Sequence, residues 1–302
     1  MMLRVIVAVV VTYHPDMVAL CRQLKLIARQ VHAVMLVDNA SLGVEEIDEL
    51  SEIAQVHQCE SNVGIAKAQN IGIQKAIVAG ADGIIFFDQD SVVPEGMIAS
   101  LSQEFDRLSV RHRVGAVGPI YRDSELGFYY PVIRIDKLGL VRKIIPSSAS
   151  EPIQVSCCIS SGTLVPVHVL NDVGLLQQAL FIDYVDTEWC LRAVAKGYEI
   201  FVVPDALMEH KIGDDTLSFG RWKVPVHSPF RRYYRLRNVF ILAGLKHIPI
   251  LLIVKEGVQG ICHQLILVAT QKGSRLAYAR AGVKGLLDGL KLCASRRFVN
   301  DA

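Results

Sequence analysis

At 302 residues, 51 % of them hydrophobic and with a mean hydropathy of +0.34, the chain has material for one large domain, or one domain with an appendage. Its seven cysteines, an odd number without a CxxC pair, argue against a disulfide framework or a structural zinc site and favour a reducing compartment. The net charge of +2 hides an asymmetry: residues 1–220 carry 17 Lys and Arg against 27 Asp and Glu, whereas residues 221–302 carry 15 against Glu256, Asp288 and Asp301, a basic, apolar tail suited to an anionic surface, membrane or nucleic acid.

In chain order, Arg4 is followed by an apolar run at 5–11. Thr12-Tyr13-His14-Pro15-Asp16 comes next and no small-residue cleavage site appears, so the run reads as a buried strand rather than a signal peptide. Asp16 is a good cap for a helix over 17–30. Further continuous apolar runs at 33–37, 83–87, 115–117 and 200–203 alternate with helical spacing, as at 66–79. Continuous runs belong to strands covered on both faces, which predicts a mainly parallel α/β sheet. Residues 121–155 are rich in Tyr, Arg, Gly and Ser and contain Pro131, Pro146 and Pro152, so loops and short antiparallel strands are expected. A helix over 191–196 is stopped by Gly197. The tail opens with SPFRRYYRLRN (228–238), followed by apolar stretches at 239–254 and 258–270. Lys246-His247, Pro249 and His263-Gln264 interrupt them. Neither reaches the roughly 18 uninterrupted apolar residues of a membrane span, so both read as helices packed on the body or lying in an interface.

Ligands of open α/β sheets bind beyond the carboxyl ends of the strands. Here those ends carry Thr12-Tyr13, Asp38-Asn39-Ala40-Ser41 and Asp88-Gln89-Asp90. Strand alternation points Asp88 and Asp90 to one side and Gln89 to the other. Such a pair either ends the strand as turn residues or is relieved by a cation. SNVGIAKAQNIGI (61–73) places Asn62, Gly64 and Asn70 in a loop entering a helix, and Gly64 permits close backbone approach. LFIDYVDTEWCLRA (180–193) holds Asp183, Asp186 and Glu188 at a loop-to-helix junction. Two positions apart, Asp186 and Glu188 cannot share a helical face. Capping charge explains one of these acids but not three. His210 follows another strand, in VPDALMEH (203–210), and is open to a structural or a ligand role. The chain lacks GxxxxGK[ST], GxGxxG after its first strand and GxSxG.

VVTYHPD (10–16), LVDNAS (36–41), NVGIAKAQNIGI (62–73), FFDQDSVVP (86–94), SSGTLV (160–165), FIDYVDTEWCLR (181–192) and VPDALMEH (203–210) follow one another over about residues 3–237. In order and spacing they resemble the inverting family 2 glycosyltransferases of the GT-A fold, and among them the bacterial rhamnosyltransferase group. The resemblance implies a GT-A catalytic domain over 1–220, with a nucleotide-sugar half to about 120 and an acceptor half beyond it. Its α/β sheet is mixed but mainly parallel, with flanking helices, and a basic, apolar helical extension follows over 221–302. It implies that Thr12, Tyr13, Asp38 and Asn39 hold the nucleoside, that Asn62, Gly64 and Asn70 shape the nucleotide-side loop, and that Asp88 and Asp90 bind Mg²⁺ or Mn²⁺ on the donor diphosphate. Asp88 also meets the nucleotide sugar, and His210 falls at the third ligand position. Asp186 falls at the base position, where the family often has Glu-Asp and this chain has Val185-Asp186. Asp183, Glu188, Ser161 and Gly162 are expected on the acceptor side.

The residue types suit that chemistry independently. A departing nucleoside diphosphate needs its charge neutralised, and the attacking hydroxyl needs a carboxylate to take its proton. The implied reaction moves a sugar, first L-rhamnose from dTDP-rhamnose, to a saccharide or lipid-linked saccharide acceptor in cell-surface polysaccharide synthesis. The alternatives are another UDP-, dTDP- or GDP-sugar donor, or a nucleotide-sugar-binding protein without turnover. A sugar-phosphate nucleotidyltransferase is less suitable, because its glycine-rich basic loop after the first strand is missing. Arg231, Arg232, Arg235 and Arg237, interleaved with Tyr233, Tyr234 and Leu236, are expected to touch the anionic inner face of the cytoplasmic membrane, placing a cytoplasmic enzyme there peripherally. Their alternation with aliphatic runs fits lipid better than nucleic acid.

Overall fold

The computed structural model describes residues 3–124, 127–147, 151–210, 216–219 and 222–295. The first half is a parallel β/α array: β1 (Ile6–Thr12), α1 (Met17–Ala28), β2 (Ala33–Asp38), α2 (Val44–Ser51), β3 (Gln55–Gln58), α3 (Ile65–Val78) and β4 (Gly83–Asp88). Strands pair parallel in the order β3-β2-β1-β4, so their carboxyl ends form one rim. Both faces of this sheet are covered. Val7, Val9, Ile84 and Phe86 pack into a core with α3, while Ala8, Val10, Ile85 and Phe87 pack into a second core with α1. That two-sided burial is what the uninterrupted apolar runs encode.

The second half continues through α4 (Met97–Ser109), β5 (Val114–Asp123), a hairpin of β6 (Val132–Ile135) and β7 (Val141–Ile144), β8 (Ile153–Val155), β9 (Leu164–Pro166), α5 (Val167–Val173), α6 (Val185–Ala195) and β10 (Glu199–His210). The eight-stranded sheet reads β3-β2-β1-β4-β9-β5-β10-β8. β9 is antiparallel to both β4 and β5, β10 is parallel to β5, and β8 is antiparallel to β10. The strands expected at 115–117 and 200–203 are far longer, ten and twelve residues, because they pair with each other along most of their length. A second hairpin joins β11 (Thr216–Phe219) and β12 (Trp222–Pro225).

The tail folds as α7 (Pro229–Ala243), α8 (Ile250–Thr270) and α9 (Arg275–Ser295). The basic stretch is the body of α7, whose N-terminus is capped by Ser228 with Pro229 at the first position. Gly244 and Pro249 bracket the break where the interruption was expected. Beyond it the two apolar stretches merge, so α8 is 21 residues long and, by length and composition alone, apolar enough to cross a membrane. It is nevertheless bonded sideways into the protein. Buried Arg232 donates to Gln264 Oε1 at 2.9 Å and to the Gly260 carbonyl at 2.6 Å, and Gln264 donates to the Tyr278 carbonyl of α9. Ile241, Leu242, Ile248 and Leu252 enter the same core as α3 and α6.

The arginines of α7 are engaged by the protein itself. Arg231 pairs with Asp183, Arg235 with Asp183 and Glu256, and Arg237 donates to the Ala179 and Leu180 carbonyls. Arg232 is fully buried. The acidic, carbonyl-rich loop 179–186 attracts these cations.

Candidate active site

A cavity of about 560 Å³ lies between the carboxyl end of β4, the loop entering α6 and helices α7 and α8. Its polar wall includes Gln69, Asp88, Asp183, Asp186, Arg231, Arg235, Lys255 and Glu256. Its apolar wall includes Ile133 and Ile135 of β6, Val141 of β7, and Leu242, Ile248 and Leu252 of the tail. The structure therefore brings Asp88, Asp183 and Asp186 together from sequence positions almost a hundred apart.

Asp88 ends β4. Burial pushes its carboxyl up to about 6, the neighbouring Asp90 and Asp186 push the same way, and Arg231 alone among the main influences opposes them. Asp90 is exposed one turn further on. Gln89, between them, points the other way and accepts from Thr12 Oγ1 at 3.0 Å and Tyr13 N–H at 2.7 Å, pinning the end of β1. Val92 bridges Glu209, so the end of β10 at His210 runs beside the turn that carries Asp90. The His210 side chain lies outside the described residues. Among the described residues, no three His, Cys, Asp or Glu side chains are gathered as a metal centre.

Asp186 stands in the first turn of α6 and accepts from its neighbour Thr187, at 2.7 Å from the N–H and 3.4 Å from the hydroxyl. Burial raises its pKa, and backbone N–H groups of Thr187 and Ser160 offset part of that rise. The preceding loop is strained: Phe181, Asp183 and Tyr184 all have φ near +65°, although none is glycine. It is clamped by buried Asn238 of α7, which donates to the carbonyls of Leu180 and Ile182 at 2.8 Å and of Asp183 at 3.3 Å. Tyr234 stacks on Phe181 with centroids 4.5 Å apart, and Arg231 holds the Asp183 carboxylate at 3.1–3.2 Å. On the far side, Gly64 begins α3 at φ +82°, and a Cβ there would stand 2.6 Å from the Phe181 ring.

The other expected residues divide. Glu188 does not line the cavity: it is buried in a cluster with Arg192 at 3.0 Å and His247 at 2.8 Å, in keeping with its separation from Asp186 by two positions. Ser161 and Gly162 do not line the cavity. Ser161 Oγ lies 2.6 Å from Ser91 Oγ, and Gly162 donates to the Phe86 carbonyl at 2.6 Å, so both support the turn after β4. Asp38, fully buried, accepts from Ser41 N–H and hydroxyl at 2.8 and 2.6 Å, Leu42 N–H at 3.2 Å and Gln58 at 3.2 Å. Asn39 accepts from Val63 N–H, Asn62 from Gly64 N–H, and buried Asn70 is paired both ways with the Leu176 backbone. Thr12, Tyr13, Asp38, Asn39, Asn62 and Gly64 thus follow the rim of β1, β2 and α3, and Tyr13 presents an exposed ring. Gln69, Arg231, Arg235, Lys255 and Glu256 were not singled out as site residues from sequence. The basic run of α7 was the available signal, and its partners lie some fifty residues earlier.

The glycosyl transferase family 2 model matches residues 9–174. Over 288 residues the chain is 40 % identical to the dTDP-rhamnosyl transferase RfbF of Shigella flexneri, spanning 95 % of each. Among solved structures it is similar to GalNAc-T7 with UDP, GalNAc and Mn²⁺, at TM-score 0.58 and 16 % identity over 81 % of this chain and 52 % of that one, about half its length. It is also similar to S. aureus TarS 1-349 in complex with UDP-GlcNAc, at TM-score 0.53 and 13 % identity over 97 % and 92 %. These two likenesses show a shared GT-A fold. With its mixed sheet, acidic strand end and near-full-length relative, the chain belongs to glycosyl transferase family 2.

Proposed function

We propose that the protein transfers L-rhamnose from dTDP-rhamnose to a lipid-linked saccharide at the cytoplasmic face of the membrane, in one displacement that inverts the anomeric centre. Support for this donor comes from the relative named a dTDP-rhamnosyl transferase. The observation that carries the chemistry is Asp186, a desolvated carboxylate sharing one cavity with Asp88.

In this reading the nucleoside lies along Thr12, Tyr13, Asp38 and Asn39, with Asn62, Gly64 and Asn70 shaping that side. Asp88 and Asp90 would hold a divalent cation, Mg²⁺ or Mn²⁺, with His210 as a further donor. The donor set fits, because Asp90 and Asp186 both act against ionisation of the buried Asp88 carboxyl and Arg231 is the main charge favouring it. Bound there, the cation neutralises charge on the departing diphosphate. Asp186 accepts the proton of the acceptor hydroxyl as that oxygen bonds to the anomeric carbon and the bond to the diphosphate breaks. Its raised pKa brings its basicity closer to the operating pH. Asp183, tied to Arg231, positions the loop on the acceptor side rather than moving the proton.

Purified protein offered thymidine-, uridine- and guanosine-diphosphate sugars tests this. Slow, cation-dependent release of rhamnose from dTDP-rhamnose without acceptor is expected. Asp186→Asn should keep donor binding and lose about 10²–10⁴ in transfer rate. Normal turnover by that variant would move the base elsewhere, full activity in EDTA would remove the cation, and binding without turnover would favour a non-catalytic sugar-nucleotide binder.

A further inference from the structure

Helix α8 has two faces in use. Inward, Leu252, Lys255 and Glu256 line the catalytic cavity, and Gly260, Gln264 and Leu267 are buried against the neighbouring helices. Outward, Leu251, Val254, Val258, Ile261 and Leu265 are 44–64 % exposed and recur every three or four residues, making one stripe along about 21 Å of helix. Gln259 is the one amide among the exposed residues of α8, which are otherwise aliphatic or Cys262.

Charge brackets the stripe. Exposed Lys246 precedes α8, exposed Lys272 and Arg275 follow it, and α9 adds exposed Arg280 and Lys284 beside Val283, Leu287 and Leu290. From residue 246 to 295 the carboxylates are Glu256 and Asp288, and both are engaged. Glu256 meets Tyr184 and Arg235, and Asp288 meets Tyr233 and Lys291. The outer surface of α8 and α9 therefore offers apolar side chains and cations without an exposed acid.

We infer that this face docks on an anionic lipid bilayer, with α8 lying in the interface. Anionic headgroups answer the cations while the stripe enters the acyl boundary, whereas a second copy of this chain, set face to face, would oppose like charges. Crossing the bilayer does not fit α8, because buried Arg232 is bonded to Gln264 and Gly260 and the inner face carries Lys255 and Glu256. Docking places the catalytic cavity about one helix diameter, some 10 Å, from the headgroups. A lipid-linked saccharide then meets Asp186 without leaving the membrane. The inference deepens the membrane element of the proposed function and locates it on α8 rather than on the α7 arginines.

Flotation with vesicles of phosphatidylethanolamine and phosphatidylglycerol tests it, against vesicles of phosphatidylcholine alone. The wild-type chain should float with the anionic vesicles at low salt, release as salt rises, and stay below with the neutral ones. Val258→Glu combined with Leu265→Glu should weaken flotation by at least about ten-fold and lower transfer to a membrane-borne acceptor, while hydrolysis of the nucleotide sugar in solution is unchanged. That hydrolysis reports folding. If it is lost, Val258→Ser with Leu265→Ser is read in the same way. Unchanged flotation of a folded variant, equal binding to neutral vesicles, or wild type that never floats overturns the inference. A wild-type dimer that these substitutions break, without flotation, assigns the face to a second copy and overturns it too. Flotation as expected from a protein inert on dTDP-rhamnose leaves the docking intact and removes the donor.

Discussion

Asp88→Asn should make the cation-free protein more stable and the enzyme inactive. In wild type the Asp88 carboxyl rises from 3.8 to about 6, chiefly through burial and then through Asp90 and Asp186. That rise corresponds to about 3 kcal/mol against the ionised form when the protein is folded. Water entering the cavity and the weaker polarity of an amide reduce the expected gain to about 1–2 kcal/mol. The sign follows from proton linkage. A carboxyl whose pKa is higher in the folded state stabilises the fold below about 3.8, and this contribution is lost as pH rises through about 6. The variant should therefore lead by the full amount near pH 7.5 and by only about a third of it near pH 4.5. Urea unfolding in EDTA at those two pH values measures the difference, and transfer assays with Mg²⁺ should show a loss of about 10²–10³. A variant less stable than wild type at neutral pH, or a lead that ignores pH, would refute the placement of Asp88 among desolvated like charges.

Two other substitutions separate catalytic from structural carboxylates and test the loop. Glu188→Gln breaks a buried pair with Arg192 and His247, so it should cost about 2–4 kcal/mol in unfolding free energy while the folded fraction keeps its KM for donor. A dead enzyme of normal stability would return Glu188 to the site. Gly64→Ala must leave φ +82° or push Phe181 aside, costing about 1–3 kcal/mol, and should lower kcat through the displaced Asp186 loop. Unchanged kcat and Tm would show that Phe181 is not wedged against α3.

The parallel half was legible because its strands are buried on both faces and so read as unbroken apolar runs; β1 and β4 illustrate this. β9 was not, since a three-residue strand inserted antiparallel between β4 and β5 has no period to detect. Strand alternation does not reach past Asp88, because β4 ends there and Gln89 and Asp90 lie in the turn, and the clamp Gln89 makes on Thr12 and Tyr13 depends on the neighbouring strand. The spacing of Asp186 and Glu188 required them to diverge, yet which of the two met the cavity depended on the partners Arg192 and His247 that hold Glu188 on the other side.

The α7 arginines show why charge patterning alone was ambiguous. Four cations among aromatic rings look alike in sequence whether they meet lipid or carboxylates, and Arg231 meets Asp183 from 48 residues away. Phe181 and Tyr184 gave no warning of left-handed backbone, because neither aromatic residue favours it, although Asp183 is of a type that tolerates it. The conformation is imposed from outside, by Asn238 and Arg237 on the loop carbonyls and by Tyr234 on the Phe181 ring. The strain that presents Asp186 to the cavity is thus held by a helix from the basic tail. Because α7 grips the loop while α8 closes the cavity wall, the tail packs as one body with the sheet around the cavity, and the exposed apolar residues of α8 lie on its outward face.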